Sequence, residues 1–460
     1  MITITQPIPQ LQASSSRASG ITTAESLNPA FVVFFILIHF PLALVMKLVP
    51  FLATIHALFT FFVGLLWLLS PNSTGRVIYV IGYIAGAEIL WRGAEASIFW
   101  EFGKYSVTLL LILALLKNQS PGRRPIWPIF YFVLLLPSIV VLPVFDRQAI
   151  SFNLSGPLAL AVATLFFSSV SLSASRLKTL LLSIIAPIAG LGFLTAYYIY
   201  SPEVIAFGQG SLLATSAEIG PNQVSSTLGL GALAAAYYAF VEKKSLSIRA
   251  LMVGITILLL IQSVLTFSRG GLWTTFGALL VFAFFSLRDR KVRLRSMILA
   301  IILTTGFLLI FPYANEFSGG ALGIRVQDTN PTGRDRLVQA DWQIFLENPW
   351  FGVGPNQSKY LHVLYYRGAS THTEYSRMLA EHGVFGLVSL VILVWASIQR
   401  YLSKAQVEQW GFRVLFTTWA LLYMIHSAMR LVAPAFLFGL GAARIILDEE
   451  DEQLENSNHL

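Results

Sequence analysis

Apolar segments close to 20 residues long recur along almost the whole chain of 460 residues. A helix of about 20 apolar residues crosses the hydrocarbon layer of a bilayer and satisfies its own backbone hydrogen bonds there. The composition agrees, because 12% of the residues are charged, whereas a soluble domain carries about 25%. The ten-residue alternation of a membrane barrel is not visible. The sequence therefore predicts an all-α fold, a polytopic bundle of transmembrane helices.

The apolar segments predict about 12 to 14 spans, because one segment is short and the last two can form a single bent helix. The predicted spans are 30–46, 49–70, 77–94, 104–117, 126–145, 154–174, 179–200, 222–241, 250–267, 271–287, 296–312, 373–398, 412–429 and 431–447.

These spans divide the chain into five parts. We expect a disordered cytoplasmic N-terminus at 1–28, transmembrane helices at 29–312 and a large periplasmic loop at 313–371. Further transmembrane helices follow at 372–447, and an acidic cytoplasmic tail closes the chain at 448–460. The first part lacks a basic region leading into an apolar core, so a cleaved signal peptide is not predicted.

Basic loops give the orientation, since Lys and Arg concentrate on the cytoplasmic side of membrane proteins. Five basic connections fall on one side when the predicted spans alternate: 117–124, 175–178, 242–249, 288–295 and 400–413. Both termini are then cytoplasmic in a multi-pass protein. The same loops account for the net charge of +8 without a nucleic-acid partner.

A short basic motif, SRGG at 268–271, separates two long apolar runs at 251–267 and 272–287. A charge drawn into hydrocarbon costs roughly a few kcal/mol. We therefore expect Arg269 to lie at the membrane boundary, where a fixed cation can hold an anionic group.

The segment that follows the eleventh predicted span is too long to be a simple connection. Within it, Leu337, Ala340 and Ile344 recur at helical spacing and predict a short amphipathic helix on the membrane surface. At its end, His372 can accept a proton near neutral pH. A lone boundary histidine is more often structural, but one that lies beside Arg269 is a candidate base.

Glu374, Arg377 and Glu381 share one face of the helix that follows. Ionisable residues in such a place line a substrate path or neutralise one another, and both alternatives stay open. Ion pairing is favoured over lining of a substrate entry for the polar cluster at 87–105, and packing for three isolated residues: His56, His426 and Arg430.

The sequence contains none of the common motifs of phosphate-binding, metal or hydrolase sites. The chain has no cysteine, no GxxxxGK[ST] phosphate loop, no HExxH and no GxSxG motif. We therefore expect neither a metal nor a cofactor.

An ordered set of motifs resembles the O-antigen ligase and O-antigen polymerase superfamily over roughly residues 205–400. The set comprises the Pro–Asn pair at 221–222, SRGG, the Gly–Arg pair at 333–334, Trp342, NPWFGVG at 348–354, a histidine, and LAEHGVFGL at 379–387. The resemblance implies a fold like that of the C-type membrane glycosyltransferases. It also implies a metal-independent, inverting glycosyltransferase in the bacterial inner membrane.

The implied donor is an oligosaccharide on polyprenyl diphosphate, and the acceptor is a glycan, lipid A core or protein. By position, the resemblance makes Arg269 the diphosphate-binding arginine, His372 the base or orienting group and Arg334 a further cation. Asn222 belongs to the Pro–Asn pair of the substrate site, and Glu374 and Arg377 are expected to line it.

The sequence departs from the family at two points. Members carry an arginine shortly before the Pro–Asn pair, but 201–221 contains none, and we expect Arg325 or Arg336 to supply this charge. Thr373 follows the histidine where asparagine is common. The alternative function is that of a polysaccharide flippase or secondary transporter, which predicts midplane charges and internal repeats.

Overall fold

The computed structural model of the protein describes residues 27–70, 74–117, 124–200, 213–286, 290–328, 333–366, 371–403 and 407–446. The predicted tail lies outside these residues, as do nearly all of the predicted N-terminal part and portions of three basic loops.

The described residues are overwhelmingly helical, so the predicted all-α class is confirmed. The helices are α1 Pro29–Leu37, α2 His39–Leu48, α3 Pro50–Leu69, α4 Val77–Gly93, α5 Phe102–Lys117, α6 Trp127–Val133, α7 Arg147–Phe167, α8 Ala174–Ile199, α9 Pro221–Val241, α10 Leu246–Leu265, α11 Arg269–Ser286, α12 Arg290–Phe317, α13 Ala321–Gln327, α14 Arg334–Glu347, α15 Ser358–Leu361, α16 Glu374–Leu402, α17 Val407–Ser427 and α18 Ala433–Leu440. Short 3₁₀ turns lie at Thr74–Arg76, Leu136–Val141, Ala214–Ser216 and His362–Leu364. Two three-residue strands, β1 Ser171–Ser173 and β2 Arg444–Ile446, pair in parallel.

In the described part of the chain, eight helices are long and apolar enough to cross a membrane. They are α1 with α2, α3, α7, α8, α9, α10, α11 and α16. The predicted total of 12 to 14 spans also counts shorter helices, among them α4 with 17 residues and α5 with 16.

Two predicted spans differ from the helices observed. The span predicted at 126–145 is interrupted, because α6 ends at Val133 and a 3₁₀ turn containing Pro137 follows. Proline cannot donate a backbone hydrogen bond and breaks a helix. The span predicted at 154–174 begins earlier, at Arg147, because Asp146 caps the helix by accepting hydrogen bonds from two backbone N–H groups.

Helix α9 is the centre of the bundle, and the whole of its most apolar 18-residue window is buried. It packs against α8, α10 and α11. A Cβ atom on Gly231 would lie 2.4 Å from the Ile188 side chain, so glycine permits the close approach typical of membrane helices. Helix α3 is 28% buried by the same measure, and the apolar side chains that it exposes suit contact with lipid.

The predicted amphipathic helix is α14, and Leu337, Ala340 and Ile344 are its buried face. Its position on the membrane surface stays a prediction. The apolar face packs against α16, because burial against protein removes the same apolar surface from water.

Candidate functional site

The SRGG motif ends the turn between α10 and α11 and supplies the first three residues of α11. It is held against the start of α9. We call it the SRGG turn. Phe267, directly before it, has a φ of 57°, in the left-handed region that large side chains rarely adopt. The Ser268 hydroxyl donates to Asn222 Oδ1 over 2.7 Å, and the Ser225 hydroxyl donates to the Ser268 carbonyl over 3.2 Å. The Pro–Asn pair and the SRGG motif therefore form one contact.

The two glycines of the motif allow neighbouring side chains to approach. A Cβ atom on Gly270 would lie 2.7 Å from His426 Nδ1, and one on Gly271 would lie 2.1 Å from Ser225 Oγ. The Thr274 hydroxyl donates to the Gly270 carbonyl over 2.8 Å. It therefore accepts a hydrogen bond from His426 Nε2, which lies 2.6 Å away.

Helix α13 brings a second arginine to this turn. The Nε of Arg325 donates to the Phe267 carbonyl over 3.2 Å, and its Nη1 donates to Asp328 over 2.9 Å. Arg269 Nη1 lies 3.6 Å from the same Asp328 oxygen. One carboxylate therefore faces two guanidinium groups beside the strained Phe267.

Arg334 begins α14 and reaches the same corner. It follows Gly333, whose φ of 79° suits glycine. Burial lowers the pKa of the Arg334 guanidinium, and three neighbouring arginines lower it further: Arg269, Arg325 and Arg430. Arginine stays protonated in proteins, so these four residues concentrate positive charge.

Arg430 lies in the turn between α17 and α18. Its Nη2 donates to the Thr371 carbonyl over 3.3 Å. Buried charges fix the preceding residue: the Met429 N–H donates to Glu374 over 3.1 Å, and Lys104 donates to the Met429 carbonyl over 3.1 Å. Arg430, for which packing was predicted, lies close to another of these arginines, Arg334.

His372 directly precedes the N-cap residue of α16. Both His372 and Arg334 are close enough to His426 to interact with it electrostatically, and the His426 ring contacts Gly270. The structure therefore brings His372, Arg269, Arg334 and Asn222 to one corner of the molecule. His426, for which packing was also predicted, contacts the SRGG turn at Gly270 and interacts electrostatically with His372.

Glu374 and Arg377 lie at the start of α16 and form an ion pair with each other. Arg377 Nη2 lies 2.6 Å from both Glu374 oxygens, and its Nη1 lies 3.8 Å from Glu381. All three side chains are buried and share a helical face as predicted. Arg377 and Glu381 also line a recess next to Arg430.

Arg336 points elsewhere. It is exposed, and its guanidinium carbon lies 5.2 Å from the centre of the Tyr366 ring. Of the two arginines expected to supply the missing charge, the structure places Arg325 at the SRGG turn and Arg336 on the surface of α14.

Two of the family motifs bind each other through the backbone. The Val353 N–H from NPWFGVG donates to the Ala380 carbonyl over 3.0 Å, and the Val384 N–H donates back to the Pro349 carbonyl over 2.7 Å. Gly383 interrupts α16 with a φ of 59°. We call this interface, formed by 348–354 and 379–387, the backbone lock.

The polar cluster at 87–105 is an ion-pair network, so ion pairing is confirmed. Arg92 lies 2.6 Å from Glu88, and Lys104 pairs with Glu101. Arg92 also donates to Gln223 over 3.0 Å, which braces the start of α9. In the part of the chain that the structure describes, no group of three His, Asp or Glu residues could hold a metal ion.

Comparison with protein families supplies an independent result. Residues 254–391 match the family model described as O-antigen ligase, a region that contains the SRGG turn, α13, α14, His372 and the backbone lock. A search of curated proteins finds no match. The family match supports a membrane enzyme of glycan synthesis of the ligase or polymerase type. The resemblance to the O-antigen ligase superfamily is therefore confirmed across residues 254–391.

Proposed function

We propose that this protein is a membrane glycosyltransferase that transfers or polymerises an oligosaccharide linked to polyprenyl diphosphate. The reaction takes place at the periplasmic face of a bacterial inner membrane, and the product is O-antigen, exopolysaccharide or a related surface glycan. The observation that carries the proposal is a set of four arginines, Arg269, Arg325, Arg334 and Arg430, in which Arg334 interacts electrostatically with the other three. We call this set the arginine cluster. Two of them, Arg269 and Arg325, share Asp328 beside the SRGG turn.

A diphosphate suits the arginine cluster chemically. Guanidinium groups bind phosphate oxygens bidentately and keep their charge. Asp328 pairs with two of the four arginines, so a multivalent anion would relieve the repulsion that remains among them. This arrangement supports an anionic headgroup as ligand.

In the proposed reaction an acceptor hydroxyl attacks the anomeric carbon from the side opposite the diphosphate. A carbon–oxygen bond forms, the bond from that carbon to the diphosphate oxygen breaks with inversion, and the diphosphate leaves with the electron pair. His372 takes the hydroxyl proton. The arginines stabilise the charge that develops on the leaving group, so the chemistry requires no metal and no nucleotide.

An apolar recess beside the SRGG turn suits the lipid part of the donor. It is a partly open groove between α10 and α12. Val264, one of its lining residues, also belongs to the small apolar cluster that contains Phe267. The lining is wholly apolar: Ile257, Leu260, Ile261, Val264, Ile310, Phe311 and Ala314. An isoprenoid chain here would leave its headgroup close to the arginine cluster.

The position of the charges favours an enzyme over a flippase or secondary transporter. Arg269 and Arg334 begin helices α11 and α14, and Arg325 lies in the short helix α13. Transporters place their ion and substrate sites near the bilayer midplane, between repeats. A charge cluster at helix ends supports chemistry at a membrane surface.

The decisive experiment uses purified protein in proteoliposomes with a fluorescent polyprenyl-diphosphate oligosaccharide. Lipid A core, a second lipid-linked oligosaccharide and an unfolded acceptor protein are supplied in separate reactions. We expect one acceptor to be extended, with release of polyprenyl diphosphate. Movement of the intact donor across the membrane without cleavage would contradict the proposal and support a flippase.

A further inference from the structure

A second recess lies beside the arginine cluster, and Arg430 forms part of its wall. It is a depression that is partly open to solvent. Its other walls come from α7, α16 and residues 356–359, which follow segment 348–354 of the backbone lock. The lining residues are Phe152, Asn356, Ser358, Lys359, Thr371, Arg377, Glu381, Ala428, Met429 and Arg430. We call it the polar recess.

Hydrogen-bond donors exceed acceptors in the polar recess. Its one carboxylate, Glu381, is already engaged, since it accepts from Ser358 over 2.8 Å and from Asn153. Arg377 is 7% exposed, and its buried Nε has no hydrogen-bond partner among the described residues. An atom this deeply buried is out of reach of a ligand, and the Arg377 guanidinium is already paired with Glu374 and Glu381. The donors available to a ligand are therefore those of other lining residues.

Two further cations line the polar recess. The Lys359 ammonium lies 4.7 Å from the centre of the Tyr360 ring, and Arg430 lies between the recess and the arginine cluster. Glu374 and Glu381 pair with Arg377, so Lys359 and Arg430 supply the positive charge that is available to a ligand. Phe152 adds an apolar surface of the kind that packs against the face of a sugar ring.

We propose that the polar recess binds a sugar unit that carries a carboxylate, within the glycan that reacts at the arginine cluster. This inference rests on the proposed function. The carboxylate of the sugar faces Lys359 and Arg430, and its hydroxyl groups face Asn356. Both the donor glycan and the acceptor glycan can deliver such a unit, because Arg430 borders both sites.

Binding and transfer experiments test the inference with the purified full-length protein. Saturation-transfer NMR with sodium glucuronate, and with glucose as the neutral probe, measures the polar recess. Calorimetry with inorganic pyrophosphate measures the arginine cluster. The variants are Lys359→Gln for the recess, Arg269→Ala for the cluster and Lys243→Gln as a matched control in the loop between α9 and α10.

We expect Lys359→Gln to weaken glucuronate binding about tenfold, the effect of losing one charge-assisted hydrogen bond, and to leave pyrophosphate binding unchanged. Arg269→Ala should do the reverse, and Lys243→Gln should change neither. Transfer assays that place glucuronate in the donor alone or in the acceptor alone then show which glycan is slowed by Lys359→Gln.

Three results would overturn the inference: equal binding of glucose and glucuronate, loss of glucuronate binding in Arg269→Ala alone, or no glucuronate binding at all. Each leaves the proposed function standing if pyrophosphate still binds. Failure of the unaltered protein to bind pyrophosphate would instead count against the arginine cluster and the proposed function.

Discussion

Two regions of this protein hold buried or half-buried arginines, and they differ in how the charge is balanced. On α16, Arg377 contacts two carboxylates, those of Glu374 and Glu381. In the arginine cluster, Arg334 lies near the other three guanidinium groups, and Asp328 pairs with two of the four.

This difference indicates which arginines stabilise the fold and which take part in the reaction. A buried charge that has a full set of opposite charges holds helices together, and breaking it is costly. A concentration of like charge opposes folding unless a ligand compensates it. We therefore assign the α16 pairs chiefly to the stability of the fold and the arginine cluster to the reaction.

The largest effect on stability is expected from Arg377→Ala. Removal of this guanidinium leaves Glu374 and Glu381 buried without their partner, which costs about 3–5 kcal/mol of unfolding free energy. Thermal denaturation of the purified protein measures the loss. Arg176→Ala, an exposed arginine at the start of α8, is the matched control and should change stability by less than about 0.5 kcal/mol. An Arg377→Ala protein as stable as the unaltered one would contradict the assignment of the α16 pairs to stability.

The largest effect on the reaction at unchanged stability is expected from Arg269→Ala. Loss of one preorganised donor to the leaving group should lower the transfer rate about 10²–10³-fold. Arg269→Lys should recover little of it, because an ammonium cannot pair bidentately with phosphate. Transfer assays beside melting curves separate the two effects. Normal transfer by Arg269→Ala would remove the arginine cluster from the mechanism.

A smaller effect is expected at the backbone lock, which contains no arginine. In Gly383→Ala the new Cβ would lie 2.6 Å from the Pro349 carbonyl oxygen at a φ of 59°, which costs about 1–3 kcal/mol. Gly254→Ala is the matched control, because nothing lies within 4 Å of its Cβ position and alanine favours a helix. Melting temperatures of the two variants should move in opposite directions.

Local sequence signals predicted much of the fold. Apolar length predicted the membrane helices, and the spacing of Leu337, Ala340 and Ile344 predicted α14. The spacing of Glu374, Arg377 and Glu381 predicted their common face. Each signal acts within a few turns of one helix, where neighbours in sequence are neighbours in space.

The arrangement of the site could not be predicted in the same way, because it depends on contacts between residues that are far apart in sequence. Arg430 and His426 looked isolated because their polar neighbours come from distant helices: Arg92, 338 residues away, donates to the Arg430 carbonyl, and Thr274, 152 residues away, bonds to His426. One signal was available, since Arg430 lies at the break between the last two predicted spans. The kink at Gly383 left no such signal.

The smallest effect is expected from Arg336→Ala. Together with Arg334, this residue allows two arginines of the same helix to be compared. Arg336 and Arg334 are two residues apart on α14, yet one stacks over Tyr366 on the surface and the other is close to Arg269. An exposed cation–π contact contributes about 0.5–1 kcal/mol to stability, and we expect the transfer rate to fall less than twofold.

Arg334→Ala is the internal reference for this prediction. It removes the same functional group from the same helix, but at the arginine cluster, and should lower the transfer rate at least about tenfold, as expected for one charge-assisted contact. Equal losses in the two variants would mean that any cation on α14 suffices, through its long-range field. Position within the arginine cluster would then not matter, and charge balance would no longer distinguish the two regions.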